Sequence, residues 1–312
     1  MKVNNIQNTS FKGALNNKFV LKALEKISDH SATFATLTAV SASMILRPLA
    51  IKLTPGVKKE NKEHSIANSV SSGAIKLATS LAVSLPIEHA VKTIENNPRE
   101  FLKNDFLHDK NSFNFASQML KLSSSLLTAI PKTILTVSMI PLIMDKVFKQ
   151  MPKTKENPKE ISFKGGFEKI VSKYFNNNII ENFAKKHSSN SINIARNMAV
   201  ASDILLAGSF ALRTKKSKKI DPKRKNNLIY NSIISTGLSV LAGCGLDKIA
   251  KEGGRGFLEK FIQANKSNPK LAKYVQGINI LRPTVIFALI YYGILPVVSN
   301  YTAQKLSDRK EN

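Results

Sequence analysis

Apolar residues recur at spacings of three and four along most of this 312-residue chain, which is the period of a helix with a buried face. Alternation of β-branched and polar residues, the pattern of a strand, is scarce. Six long apolar stretches stand out, at 31–53, 65–91, 117–148, 190–213, 226–250 and 277–304. Polar connectors with Pro or Gly separate them. The pattern predicts an all-α protein with six long helices.

The second half of the chain repeats features of the first. The tetrapeptide Ser-Phe-Lys-Gly occurs at Ser10–Gly13 and again at Ser162–Gly165, each time before a short amphipathic helix. Further matches follow in the same order: AVSASMIL (39–46) with AVASDILL (199–206), IANSVSSG (66–73) with IYNSIISTG (229–237), and Pro131 with Pro283. We interpret the chain as an internal duplication of a three-helix unit (3+3), with repeats at 1–150 and 151–312.

The apolar stretches favour a membrane environment. Residues 226–246 and 283–304 contain no charged residue, and about twenty apolar residues are enough to span a bilayer. Several stretches are rich in Ser, Gly, Ala and Thr, which let membrane helices approach closely. We therefore expect a multi-pass integral membrane helical bundle. The first thirty residues lack the apolar core of a signal peptide, so no cleavable signal peptide is predicted.

Charge and hydropathy keep an alternative open. The formal net charge is +26, the mean hydropathy is −0.12, and every connector is basic, so there is little positive-inside bias. A soluble or peripheral basic helical bundle that binds anionic lipid or nucleic acid would share these properties. Nucleic acid is the less favoured partner, because only eight of the basic residues are Arg.

No pattern in the chain predicts catalysis. The five His residues are scattered, and the one Cys has no second Cys with which to bind zinc. The segment EGGRGF (252–257) lacks the Lys-Ser/Thr that ends a phosphate-binding loop. We expect a protein that is not an enzyme and that needs no cofactor or metal.

Charged residues interrupt several of the apolar stretches, and four charged residues within or beside them are the candidate functional residues: Arg47, Lys132, Asp203 and Arg282. A charge at the centre of a membrane helix costs about 2.5–3.5 kcal/mol on the insertion scale, so it needs a partner or water. Alignment of the two halves places Arg47 and Asp203 on equivalent helices. They are therefore predicted to pair across the interface between the halves.

An odd number of spans in each repeat predicts that the second half runs inverted through the membrane. Many transporters have this arrangement, with a binding site near the bilayer midplane. The sequence thus suggests a transporter-like, channel-like or membrane-organising protein, and it does not identify a substrate.

Overall fold

The computed structural model describes residues 15–102, 109–127, 133–135, 137, 167–188, 193–217, 220 and 222–311. Both copies of the Ser-Phe-Lys-Gly motif lie outside these residues, as do Pro131 and Lys132. Within the described part of the chain the regular structure is entirely helical, which confirms the all-α prediction.

The described residues form short helices and longer ones. The short ones are α1 (Lys18–Asp29), α4 (Pro98–Phe101), α6 (Phe167–Phe175), α7 (Asn178–His187) and α10 (Arg255–Ala264). The longer ones are α2 (Ser31–Leu53), α3 (Lys59–Asn96), α5 (Lys110–Leu127), α8 (Ile194–Lys216), α9 (Pro222–Gly253) and α11 (Leu271–Glu311). α1 and α6 are the two amphipathic helices expected after the repeated motif.

Four of the long helices are apolar enough to cross a membrane. Among the described residues these segments are Ser31–Leu53, Lys59–Asn96, Leu228–Gly253 and Leu271–Thr302. They correspond to the first, second, fifth and sixth predicted stretches. α8, from the fourth stretch, is long enough but insufficiently apolar, and the third stretch is described only in part.

Side-chain contacts define the directions of the helices. α2 and α3 form an antiparallel pair, because Ser43 contacts Ser69 near the middle of the pair while Glu88 contacts Ala32 at its end. The turn between these helices contains Gly56, whose positive φ of 68° suits a residue without a side chain. We call the end of the bundle at which α2 begins the lower end.

α9 and α11 also run antiparallel. Asp247 contacts Arg282, the Phe287 ring lies against Gly243, and Asn231 contacts Asn300, so one register holds along both helices. The contact of Arg47 with Tyr291 at mid-height and the approach of the Tyr301 ring to Gly56 above it show that α2 and α11 run in the same direction.

The two halves have the same orientation, so the predicted inversion is wrong for the described helices. α8 runs antiparallel to α9, since Arg196 at its start meets Asp247 near the end of α9. α8 therefore points upward like α2, while α9 points downward like α3. An odd number of spans in each repeat predicts inversion, but the direction of each helix depends on contacts between helices, which a count of spans does not contain.

Two π-helical turns lie side by side at mid-height. They occupy Ala42–Leu46 within α2 and Leu289–Ile294 within α11. Each is followed two residues later by a proline, Pro48 or Pro296, which has no N–H to donate to the preceding turn. Such turns occur most often at functional sites, and here they border a charged cavity.

The long helices expose many large apolar side chains and bury many polar ones. The exposed apolar residues of the long helices form what we call the apolar band: Leu37, Met44, Ile45, Leu49 and Leu53 on α2, Ile204, Leu205 and Leu212 on α8, Ile233, Leu241, Leu246 and Ile249 on α9, and Val285, Leu289, Ile294 and Val298 on α11. The interior contains many buried hydroxyl and amide groups, among them Ser43, Ser69, Ser84, Asn231, Ser239, Ser299 and Asn300.

The lower end is held together by conventional packing and capping. A cluster centred on Val91, Ile94 and Phe175 joins α3, α5 and α6. The buried carboxylate of Glu88 accepts hydrogen bonds from the backbone N–H groups of Ala32 and Thr33, 2.8 and 3.0 Å long, and so caps the start of α2. These contacts fix where α2 enters the bundle.

Candidate functional site

Two adjoining cavities lie inside the bundle at mid-height. The upper cavity, of about 100 Å3, is lined chiefly by polar groups, including Ser43, Ser65, Asn68, Ser69, Asn231 and Ser232. The lower cavity, of about 110 Å3, is lined largely by Ala and other apolar side chains, including Ala32, Ala35, Ala39, Ala195, Ala199 and Phe287. Either volume is several times the roughly 10–15 Å3 that one water molecule needs on this measure.

Three charged side chains mark the place where the cavities meet. Lys76 and Asp203 line both cavities, and Arg47 lines the upper one. We call these three residues the central site. Tyr291 and Tyr292, whose rings stack edge to face with centroids 4.9 Å apart, also line both cavities. The central site therefore separates a polar space from an apolar one.

Arg47 is held by an aromatic ring. Its guanidinium carbon lies 5.3 Å from the centroid of the Tyr291 ring, a cation–π distance. Its buried Nε atom has no hydrogen-bond partner among the described residues, and neither does the buried Oδ1 atom of Asn68 in the same cavity. Buried polar atoms of this kind are costly unless a water or a ligand satisfies them.

The prediction that Arg47 and Asp203 pair across the halves is met only in part. Both residues line the upper cavity, but Arg47 takes part in no ion pair with a described residue. Lys76, from α3, lines both cavities together with Asp203. Lys76 was visible in the sequence as a charge inside an apolar stretch, yet it was not among the candidate residues.

Hydrogen bonds between polar side chains close the top of the upper cavity. The Ser65 hydroxyl donates to the Oδ1 atom of Asn300 over 3.0 Å, and the Asn231 amide donates to the same atom over 2.8 Å. Ser299 in turn donates to Asn231 over 3.0 Å. These bonds join α3, α9 and α11 at the top of the cavity.

Arg282 belongs to a second, separate charge cluster. Its Nε atom donates to the Oδ1 atom of the fully buried Asp247 over 2.8 Å, and the Nη1 atom of Arg196 lies 3.5 Å from Oδ2. Sequence reasoning missed Asp247 because it directly follows a charge-free run and looks like a residue at a helix end. Lys132, the remaining candidate, lies outside the described residues.

Neither a metal-binding cluster among the described residues nor a similar known protein indicates a function for this site. Within the described residues no group of three or more His, Cys, Asp or Glu side chains could hold a metal ion. Comparison of the chain with protein-family models, with curated proteins and with solved structures gives no match.

Proposed function

We propose that this protein is a multi-pass integral membrane protein of the transporter-like or channel-like kind, and that its central site receives a small inorganic anion. The observation that carries the proposal is the position of the central site, a charged cavity at mid-height inside a bundle whose exterior is apolar. Charged and amide side chains are mostly exposed in water-soluble proteins, whereas these long helices expose many large apolar side chains and bury many hydroxyl and amide groups.

The height of the apolar band supports a membrane position. About 24 Å of helical rise separates Leu37 from Leu53 on α2, and the same rise separates Ile233 from Ile249 on α9. The hydrocarbon core of a bilayer is about 30 Å thick. The contact of Asp247 with Arg282 sets Ile249 near the lower limit of the exposed residues on α11, so the band is continuous from helix to helix.

The central site lies near the middle of this band. On α11, Tyr291 is about 13 Å from Arg282 below it and about 13 Å from Asn300 above it. A charge placed so deep in hydrocarbon must be paired or hydrated, and such residues commonly belong to ion or proton pathways. Cavities above and below the site provide room for that water.

The charges of the central site favour an anion. Among the described residues of the central site, Arg47 and Lys76 are basic and Asp203 is acidic, so their formal charges sum to one positive charge. The Nε atom of Arg47 is a donor without a partner among the described residues. A small anion beside Arg47 would accept that hydrogen bond and compensate the excess charge.

The proposal also keeps the internal duplication of the chain, with two halves that run parallel to one another rather than inverted. Residues that the two halves align with one another line the same upper cavity: Ser43 with Asp203, Arg47 with Ala207, Asn68 with Asn231, and Ser69 with Ser232. A two-fold axis along the length of the bundle would bring equivalent residues together in this way. Parallel repeats about the membrane normal occur among transporters.

Flux through reconstituted vesicles tests the function. Purified protein in liposomes should release chloride and nitrate faster than protein-free liposomes, with little potassium flux. Arg47→Met and Lys76→Met should each reduce anion flux at least tenfold. Lys52→Gln, on the exposed surface of α2, is the matched control and should leave flux unchanged. Equal flux in all four proteins, or no flux above empty liposomes, contradicts the proposal.

A peripheral basic bundle is the second candidate, favoured by the lower end. The short helices there expose Phe19, Ile170 and Ile179 next to lysines, which is the composition of helices that lie in an anionic membrane surface. Extraction with alkaline carbonate separates the candidates. Retention in the membrane pellet supports an integral protein, and release into the supernatant supports the peripheral one.

A further inference from the structure

An open groove on the outer face of the bundle, between α8 and α9, shares no residue with the central site. It measures about 620 Å3. Its floor includes Gly245, where an added Cβ atom would meet nothing within 4 Å. A groove that is open on the apolar band of a membrane protein faces lipid.

The groove has one charged end and one apolar end. Arg196 and Lys248 line the lower end, and Val200, Ala201 and Ile204 line the part above it. Arg196 and Asn197 begin α8, whereas Ile204 is two turns further up. The exposed face of Ile204 belongs to the apolar band. A ligand that fits both ends has an anionic head and an apolar tail.

The charge at the lower end is not neutralised locally. Asp247 is buried behind the groove and accepts its 2.8 Å hydrogen bond from Arg282, while Arg196 lies further away, at 3.5 Å. Arg196 and Arg282 thus share one carboxylate, and Lys248 is a third basic residue beside them. Two positive charges remain in excess, and no carboxylate among the described residues lines the groove itself.

The height of the charged end matches a lipid headgroup. Arg196 and Lys248 lie at the level of Asp247 and Arg282, which is the lower edge of the apolar band. Phosphate groups lie at this boundary, and basic pockets between transmembrane helices bind anionic headgroups. We propose that the groove between α8 and α9 binds one anionic phospholipid, with its phosphate between Arg196 and Lys248 and an acyl chain over Gly245 and Ala201.

The inference depends on the membrane position in the proposed function but not on anion flux, so the two can fail separately. The test titrates detergent-solubilised protein with phosphatidylglycerol and, in parallel, with phosphatidylcholine, and counts bound lipids by native mass spectrometry. Phosphatidylglycerol should bind as a single tight copy. The double variant Arg196→Gln, Lys248→Gln should weaken that copy roughly 30-fold, the effect expected for two headgroup-level charges.

Two further variants separate a site from general attraction. Lys260→Gln removes an exposed lysine of α10 at the same end of the bundle and should leave the tight copy unchanged. Gly245→Leu keeps every charge but fills the floor of the groove, and should also displace the lipid. Equal weakening by Lys260→Gln, equal affinity for phosphatidylcholine, or retention of the tight copy by the double variant overturns the inference.

Discussion

The fully buried carboxylate of Asp247 and the guanidinium of Arg282 are joined by a 2.8 Å hydrogen bond between α9 and α11. Asp247 directly follows the charge-free residues 226–246, and Arg282 directly precedes the charge-free residues 283–304. This bond therefore sets the axial register of α9 and α11, and with it the position of every residue of α11 relative to α9.

Loss of Asp247 should destabilise the bundle strongly. Asp247→Ala leaves the partly buried Arg282 without a carboxylate, and removing one partner of a buried pair typically costs about 3–5 kcal/mol. The double variant with Arg282→Met should recover much of the folded yield, measured as the monodisperse fraction in size-exclusion chromatography. The neighbouring exposed Lys248→Ala is the control, and a double variant as poor as Asp247→Ala would refute the pairing.

Lys76 and Asp203 should behave as a coupled pair. Because opposite charges that line the same two cavities inside the bundle attract one another, either Lys76→Met or Asp203→Asn alone should lower the thermal midpoint in detergent. The double variant should be more stable than the sum of the single effects predicts. Strict additivity would show that the two charges are independent, and the same cycle between Arg47 and Asp203 should show weaker coupling.

Gly277 should not tolerate a side chain. A Cβ atom there would collide with the backbone carbonyl of Leu24, where α1 crosses α11. Backbone cannot move aside as a side-chain tip can, so Gly277→Ala should cost about 1–3 kcal/mol. Gly245→Ala, in open space on α9, should be neutral or stabilise by up to about 1 kcal/mol. Thermal unfolding monitored by circular dichroism compares them directly.

The ends of the bundle should face opposite sides of the membrane. In a Cys244→Ser background, a cysteine at Lys22 on α1 marks the lower end and a cysteine at Lys59 on α3 marks the upper end. A membrane-impermeant maleimide applied to sealed vesicles should label one of them and reach the other only after permeabilisation. A cysteine at the lipid-facing Leu241 should resist labelling under both conditions. Labelling of both ends in sealed vesicles would contradict a spanning bundle.

The ionisation of Asp109 should make the free energy of unfolding depend on pH in the acid range. It accepts hydrogen bonds from the Ser112 hydroxyl and from the backbone N–H groups of Ser112 and Asn111 at the start of α5. The Ser112 hydroxyl is the main cause that lowers the carboxyl pKa below its usual value. A lowered folded-state pKa stabilises the fold above the unfolded pKa near 4, and this contribution is lost as pH falls through the folded value.

Substitution of Asp109 tests this pH dependence of the free energy of unfolding. Asp109→Ala should cost about 1 kcal/mol at neutral pH, the typical effect of losing an N-cap residue. The difference in unfolding free energy between Asp109→Ala and the parent should shrink as the pH falls below about 4. A difference that does not change between neutral and acid pH would show that the ionised carboxylate contributes nothing.

Helices were predictable from this sequence because spacings of three and four are recorded in it directly. α2, for example, occupies 31–53 in both the prediction and the structure. The presence of Arg47 and Asp203 around one cavity was also predictable, since charges in apolar stretches must find partners or water. The identity of the partner was not. The placement of Lys76 in the cavities with Asp203, and of Asp247 against Arg282, depends on the axial register between helices. The hydrophobic period carries no information about that register.

Parallel halves have a consequence for direction. In an inverted duplication, the two routes to a central site are related by symmetry and present equivalent walls. Here the routes differ, because Ser43, Ser65 and Asn68 line one chamber and Ala32, Ala35 and Ala39 line the other. An ion arriving from above would meet hydroxyl and amide groups before the cations of the central site. An ion arriving from below would first cross an alanine-lined space that solvates it poorly. The barrier profile along the proposed anion path is therefore asymmetric, and the anion current through it should differ in size between voltages of opposite sign.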